Sequence, residues 1–469
     1  MATRKRSQAI PPASPLSVDE RRAQGRALRD AVPRSAHADW APPSGRHDPV
    51  ELLQASNEGR MPLLVPIRFG RMSASPFAFY RGAAALMAAD LAHTPTTGVR
   101  VQACGDAHLM NFGGFATPER HVIFDINDLD ETLPAPWEWD LKRLAASVVI
   151  AAQFLRLSET EAARAARDMA REYRERMADY AAMRVLDVWY DRIDLQRYQD
   201  RSADPEVMDE VRKRMAERIA EAQRKNVPDH LYPKLVELQG EAHRIKDEPP
   251  LIFHPDETLA PDVHNGFAGA IAGYRESLPE HVRTLFDRFH FRDLAVKVVG
   301  VGSVGTLCAV ALLFAAEDDP LFLQVKEARD SVLAPYVDSK SFASNGERVV
   351  FGQRLMQAAS DVFLGHMVSP MGQHMYVRQL RDVKVKPMIE IFNPQNMLGF
   401  ARSTGWALAR AHARSGDPAV IAGYIGKGEV LADAIAEFAV AYADCNERDH
   451  AALVAAVRAG RLDAETEGD

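Results

Sequence analysis

Cysteine is scarce in this chain: 3 residues in 469, at positions 104, 308 and 445. That spacing supplies neither a disulfide framework nor a thiolate zinc site. Long apolar runs are lacking too. None approaches the roughly 20 residues that cross a bilayer, so no membrane segment is expected. The opening Met1-Ala2-Thr3-Arg4-Lys5-Arg6 has the basic start of a secretory signal without the apolar stretch that follows one. A basic excess is missing as well, since 57 Lys and Arg face 65 Asp and Glu, for a formal net charge of -8. No nucleic-acid partner is expected from such a balance. What remains is an ordinary globular composition, 47% hydrophobic and 26% charged, read as a reduced, cytoplasmic protein.

The length allows two or three domains, or one two-lobed enzyme with an insertion. Residues 1–45, rich in Arg, Pro, Ser and Ala, read as a disordered or loosely docked arm. Within 46–195, a helix is expected around Ala83–Leu91, a strand at Val99–Ala103 and a helix from Trp137 to Leu155. Ser158 with Glu161 forms a capping-box signature for a further helix running towards Met183. Residues 196–290 read as a helical insertion, with charge at helical spacing over 203–226. Residues 291–400 turn to β-branched and apolar runs. Leu294–Val299, Leu307–Phe314 and Leu321–Val325 read as strands, the last two joined by a turn ending Asp318-Asp319-Pro320. A helix is expected over 347–364, and extended chain at Met375–Leu380 and Lys386–Ile391. Residues 401–469 supply the closing helices, one over Ala401–Ala413 and the last ending near Arg458.

Two stretches carry chemistry. The first is Gly105-Asp106-Ala107-His108-Leu109-Met110-Asn111, followed by Val122-Ile123-Phe124-Asp125 and the acidic run Asn127-Asp128-Leu129-Asp130-Glu131. The second is Gly300-Val301-Gly302-Ser303-Val304-Gly305-Thr306, with Lys326 downstream. Phosphoryl transfer needs positioned charge more than covalent chemistry. Asp106 has the placing to orient an acceptor hydroxyl, and Asn111 and Asp125 are hard oxygen ligands suited to Mg²⁺. Asp128 and Asp130 compete with Asp125 for the metal, Asp128 as a second ligand or as a turn residue. Gly300, Gly302, Ser303, Gly305 and Thr306 would cover ATP phosphates with backbone N–H groups, while Lys326 pairs with them. The glycine run also fits a dinucleotide-binding turn, which needs a helix at Thr306–Ala316 where a kinase-like lobe needs a strand. An apolar run from Thr306 onwards leaves both open, and a purely structural glycine turn is the third reading.

Jointly the motifs resemble the aminoglycoside-phosphotransferase and choline-kinase branch of the protein-kinase-like superfamily. Gly105–Asn111 is similar to its His-Gly-Asp-x-His-x-x-Asn loop, with Cys104 where His is usual. Phe124-Asp125 resembles its metal site, and Asp140-Leu141 the start of the helix that buttresses the loop. Trp406-Ala-Leu-Ala-Arg-Ala-His412 resembles the helix that precedes that loop. Each half is in the usual order, but the halves are exchanged, which resembles a circular permutation. The matching stretches Pro76–Gly82, Gly105–Phe112, Phe124–Glu131, Trp137–Asp140, Gly300–Thr306, Leu323–Ala328 and Gly352–Gln357 further resemble the bacterial domain of unknown function 2252.

The resemblance implies an α+β, circularly permuted protein-kinase-like two-lobed fold with a helical insertion. It implies an ATP- and Mg²⁺-dependent phosphotransferase with Asp106 and Lys326 as catalytic residues, acting on a small-molecule hydroxyl acceptor. A protein acceptor and nucleotidyl transfer are the variants. A pseudokinase or nucleotide-binding regulatory module, and a dinucleotide-binding oxidoreductase, are the rival classes. An acid on the helix after Lys326 should anchor the lysine, and Glu347 is the available one. Arg81 is a candidate phosphate contact or an ordinary ion-pair partner. Cys104 reads as a core residue and His108 as an orienting one.

Overall fold

Apolar, β-branched runs between 290 and 380 pair into one six-stranded antiparallel sheet. Its order is Gly365–Val368, His374–Gln379, Pro320–Glu327, Cys308–Phe314, His290–Lys297 and Ile252–Phe253. The computed structural model describes residues 16–195, 213, 216–221, 232–239, 242–254, 261–316, 319–338, 342–380 and 383–465. Over these the protein is a mixed helix-and-strand structure with several antiparallel sheets. No helix among the described residues is long and apolar enough to cross a membrane.

The strand Cys308–Phe314 is buried along its whole length, because both faces are covered. Ala309, Ala311 and Leu313 pack with Leu323, Val325 and Val377. Val310, Leu312 and Phe314 pack on the other side with Val236 and Ile245. This explains why the run from Thr306 carries no helix or strand period. A dinucleotide-binding turn needs a helix at this place, and the chain forms a strand. The hairpin closes through the Ala315 N–H bonded to the Asp319 carbonyl at 3.1 Å, and the next strand delivers Lys326.

Alternation along the strands sorts polar from apolar side chains. Lys326 stands directly opposite Tyr376, and Gln324 opposite Arg378. Side chains two apart share a face, so these four project together. The intervening Val325 and Val377 face the opposite way into the core.

The helices Trp137–Phe154, Glu159–Tyr180, Pro394–Ser415, Pro418–Ile425 and Val430–Arg458 share a second core. Trp137 stacks on Tyr173 at 5.8 Å within it. The expected capping box of Ser158 and Glu161 is formed. Strand Arg100–Ala103 pairs with Leu133–Pro136, and Phe112–Ala116 with Val122–Ile126. The late helix Pro394–Ser415 reaches the first of these, since Ser415 Oγ accepts the Gln102 N–H at 3.1 Å.

Several expectations need correction. Residues 18–31 of the supposed arm form a helix started by a Ser17–Glu20 capping box, the same signature read at Ser158. The insertion is not purely helical: Val236–Gln239 pairs with Ala242–Ile245, and Ile252–Phe253 joins the large sheet. Most of 203–226 lies outside the described residues. The helix expected over 347–364 spans Asn345–Met356 and stops where the Ala358 N–H turns to Asp125. The stretch expected to be extended at 386–391 holds a 3-10 turn at Ile389–Ile391.

The Val18–Ala31 helix docks on Pro418–Ile425 through two glycines. A Cβ on Gly25 would lie 2.0 Å from the Val420 carbonyl oxygen, and one on Gly423 2.3 Å from that of Arg22. Arg21 adds an ion pair to Asp417 at 3.0 Å, and Arg29 Nε bonds the Tyr424 carbonyl at 2.8 Å. In a free helix, Gly→Ala gains about 0.5–1 kcal/mol. Backbone overlap reverses that sign here. Gly25→Ala is expected to lower stability by about 1–3 kcal/mol, read as a lower midpoint in urea unfolding. A raised midpoint would mean that this helix does not dock there.

Candidate functional site

The acidic run after Asp125 meets the lysine of the sheet. Lys326 Nζ lies 2.5 Å from Asp130 Oδ2 and 3.6 Å from Asp128 Oδ2, although Lys326 and Asp130 are 196 positions apart in the chain. The Tyr376 hydroxyl donates to the other Asp130 oxygen at 2.5 Å. Arg378 Nη1 bonds the Asn127 carbonyl at 3.0 Å. The polar face of the sheet therefore grips residues 127–130 through three side chains.

The same loop is held from the next helix. Arg348 bonds the carbonyls of Thr132 at 2.6 Å, Asp130 at 2.9 Å and Arg329 at 2.7 Å. The expected lysine anchor, Glu347, instead accepts the Ala343 N–H and serves its own helix start. Asp130 takes the anchoring place. Phe351 is partly exposed and packs against Phe342, and Gln353 is buried.

Asp106 sits at the end of strand Arg100–Ala103, after a turn that only glycine suits. Gly105 has φ +80°, and a Cβ there would lie 2.4 Å from the Glu131 carbonyl oxygen. The turn is fixed from below by Asp140, whose oxygens accept the Cys104 N–H at 2.6 Å and the Gly105 N–H at 2.9 Å. His412 Nε2 lies 3.1 Å from Asp140, and His412 Nδ1 lies 2.9 Å from the Tyr173 hydroxyl. Asn111 Nδ2 donates to the Asp106 carbonyl at 2.8 Å, and the Asn127 N–H bonds the Asn111 carbonyl at 2.7 Å. The Asp106–Asn111 loop and the 127–131 loop are thus directly joined.

One Asp106 oxygen receives two bonds from Arg143, from Nε at 2.7 Å and from Nη2 at 2.5 Å. Arg143 is buried and lies over the Tyr80 ring at 4.4 Å. His108 Nε2 is 3.8 Å from the other Asp106 oxygen. Burial pushes the His108 imidazole down to about 4, with Asp106 opposing, so it is neutral near pH 7. Cys104 is a buried thiol, as expected.

The glycine loop is bent by Gly300 at φ +68° and Gly305 at φ +87°. Its turn is completed by Thr306, whose hydroxyl donates to the Ser303 carbonyl at 2.8 Å. Two arginines from the N-terminal region, one in a loop and one in the Val65–Ser73 helix, hold its carbonyls. Arg60 bonds Gly302 at 2.8 Å and Val304 at 2.6 Å, and Arg71 bonds Gly300. The Met61 N–H bonds the Gly305 carbonyl at 2.7 Å. The loop runs into Cys308, directly opposite Lys326. No feature of the sequence pointed to this arginine frame.

Asp125, expected as a metal ligand, has its carboxylate engaged by the protein. Strand Val122–Ile126 is buried throughout, so its carboxylate is enclosed whichever way it faces. Arg410 Nη2 bonds both Asp125 oxygens, at 2.8 and 2.7 Å, and both residues are fully buried. The N–H groups of Ile126 and Ala358 take the remaining positions. Asp128 is different: its Oδ1 is buried with no hydrogen-bond partner. An orphaned carboxylate oxygen of this kind fits a hard cation. Asn111 offers its amide oxygen, since its nitrogen is engaged with Asp106. Asn111 and Asp128 thus each keep an oxygen of the kind Mg²⁺ takes, whereas both oxygens of Asp125 are engaged by the protein. Among the described residues no three His, Cys, Asp or Glu side chains are grouped to hold a metal by themselves.

Charge is unevenly shared in this cluster. Burial disfavours the Lys326 ammonium, yet Asp128 and Asp130 hold its pKa well above the usual lysine range. Burial also opposes ionisation of Asp128, but Lys326 and Arg378 bring it below the usual range. Asp130 moves up, through burial and the charge of Asp128. Burial raises Glu131 to about 7 from 4.5, with the Val332 N–H and Arg348 opposing and Asp106 adding to the rise.

A raised folded-state pKa means that the folded protein holds the Glu131 proton more tightly than the unfolded chain. Its stabilising contribution is complete below pH 4.5 and is lost as pH rises through about 7. Glu131→Gln keeps the neutral form at every pH. The melting temperature of this variant should gain on wild type between pH 5 and pH 8. A gap independent of pH would remove the assignment. Asp125→Ala leaves Arg410 buried and unpaired, and should cost about 3–5 kcal/mol in denaturant unfolding. Asp125→Ala with Arg410→Met should recover part of that loss, and a fully stable Asp125→Ala would contradict the buried pair.

The model of a family described as an uncharacterized protein conserved in bacteria (DUF2252) matches residues 60–456. No curated protein and no solved structure matches the chain. The matched span includes both motif loops, Lys326 and the helix carrying Arg410 and His412, and the chain belongs to the bacterial family DUF2252.

Proposed function

We propose that this protein is an ATP- and Mg²⁺-dependent phosphotransferase of a circularly permuted protein-kinase-like type, acting on a hydroxyl of a small molecule. One observation carries it: the buried Lys326 beside the glycine loop is paired with the acidic loop joined to Asp106 and Asn111. A lysine, a glycine-rich phosphate cover, an amide and carboxylates at one place are the parts that phosphoryl transfer requires. The contact of His412 with Asp140 under the Asp106 loop supports the permuted order, because it ties the late helix to the early loop.

Lys326 would pair with inner phosphates, held in place by Asp130 and Tyr376. Asn111 and Asp128 would hold Mg²⁺, which neutralises phosphate charge when bound. Asp106 would orient the acceptor hydroxyl. One of its oxygens is already held by Arg143, so orientation is its main task. A nucleotide-binding module without turnover is the second reading, favoured by that same Arg143 bond.

The test is metal-dependent ATP turnover, first with water and then with hydroxyl acceptors. Asp106→Asn keeps ATP affinity within a few fold and lowers turnover by roughly 10²–10⁴. Lys326→Ala weakens nucleotide binding as well. Tight Mg·ATP binding without turnover on any acceptor would favour the module. An Asp106→Asn variant as fast as wild type would remove Asp106 from the chemistry.

A further inference from the structure

Arginines stand along the glycine loop, the Pro76–Gly82 helix and the Asp106 turn, and all but one of those named here have an oxygen to bind. Arg60 and Arg71 hold loop carbonyls, Arg68 Nη2 bonds the Gly82 carbonyl at 3.0 Å, and Arg143 binds Asp106. Arg81, at the end of the Pro76–Gly82 helix, is the exception. It is partly buried, its Nε is buried with no hydrogen-bond partner, and its guanidinium carbon lies 6.0 Å from the centre of the Phe77 ring.

Its position is fixed from both sides. The Arg81 carbonyl oxygen stands 3.2 Å from where a Cβ on Gly302 would lie, so the backbone abuts the glycine loop. The preceding Tyr80 carbonyl accepts from Arg143 Nη2 at 3.2 Å, and Arg143 grips Asp106. Arg81 thus belongs to the short segment that bridges the glycine loop and the Asp106 turn. Burial lowers its pKa from the usual arginine value, against the charges of Asp106 and Glu390. A guanidinium partly withdrawn from water, its Nε buried without an oxygen acceptor, is costly. It is also preformed for a phosphate, which it can bind through two parallel N–H groups.

We propose that Arg81 binds the terminal phosphate of a nucleoside triphosphate, the one nearest Asp106. This rests on the phosphotransferase proposal above. The acceptor hydroxyl oriented by Asp106 must meet the phosphorus being transferred, so the phosphate beside Asp106 is the last in the chain. Lys326 and the glycine loop serve the inner two. Arg81 is a catalytic residue in this scheme, offering positive charge where the transferred group carries negative charge.

The test is calorimetric titration of the full-length protein with Mg·ATP, Mg·ADP and magnesium tripolyphosphate. Wild type, Arg81→Ala, Arg81→Gln, Arg81→Lys and Lys326→Ala are compared, with thermal melts to verify folding. Arg81→Ala and Arg81→Gln should weaken ATP and tripolyphosphate by roughly 10- to 100-fold, the scale of lost charge-assisted bonds. ADP should change by less than about threefold, because it lacks the contacted group. Arg81→Lys should recover part of the loss. Equal weakening of ATP and ADP, or no weakening in a folded variant, overturns the assignment. If Lys326→Ala weakens both nucleotides and the Arg81 variants weaken neither, Arg81 alone is misassigned. A wild type that binds none of the three probes overturns the phosphotransferase proposal, and this one with it.

Discussion

A lysine ammonium taken out of water must find negative charge, and Lys326 finds it at Asp128 and Asp130. An unpaired charge at that depth would cost several kcal/mol. The pairing therefore obliges the large sheet and the acidic loop to come together, although they are far apart in the chain. Tyr376 and Arg378 follow from the same strand face, and Arg348 holds the loop backbone from the helix side. Once the acidic loop is placed, the Asp106 turn is placed with it, through the close contact of Gly105 with Glu131.

Each motif is thus supported by residues outside it. Asp140, His412 and Tyr173 form a buried chain beneath the Asp106 turn, drawing on three different helices. Arg60 and Arg71 fix carbonyls of the glycine loop. Such support holds polar side chains in one geometry, which is what recognition of a charged ligand needs. The cost is a set of buried polar atoms without protein partners, Asp128 Oδ1 and Arg81 Nε among them.

Much of the fold was legible where local signals are strong. The capping box at Ser158, the hairpin turn before Pro320 and the strands around it follow from short-range chemistry. The Ser17–Glu20 box was equally explicit, but its Arg- and Pro-rich surroundings concealed it. Asp106, Asn111 and Lys326 were visible as motif residues. The pairing of Asp125 with Arg410 was not legible, because ending an apolar strand says nothing about which way a side chain faces, and Arg410 lies on a distant helix. The anchoring of Lys326 by Asp130 is likewise a long-range contact that no spacing rule contains. The arginine frame of the glycine loop was illegible for the same reason.

The central claim is that Lys326, the glycine loop, Asn111 and Asp128 together hold a magnesium–nucleotide complex. A crystal structure with a non-hydrolysable ATP analogue and Mg²⁺ tests it most directly. The account predicts phosphates between the glycine loop and Lys326, with the metal bound by Asn111 and Asp128 and with Asp125 still paired to Arg410. A nucleotide bound elsewhere, or a metal on Asp125 with Arg410 displaced, would contradict it.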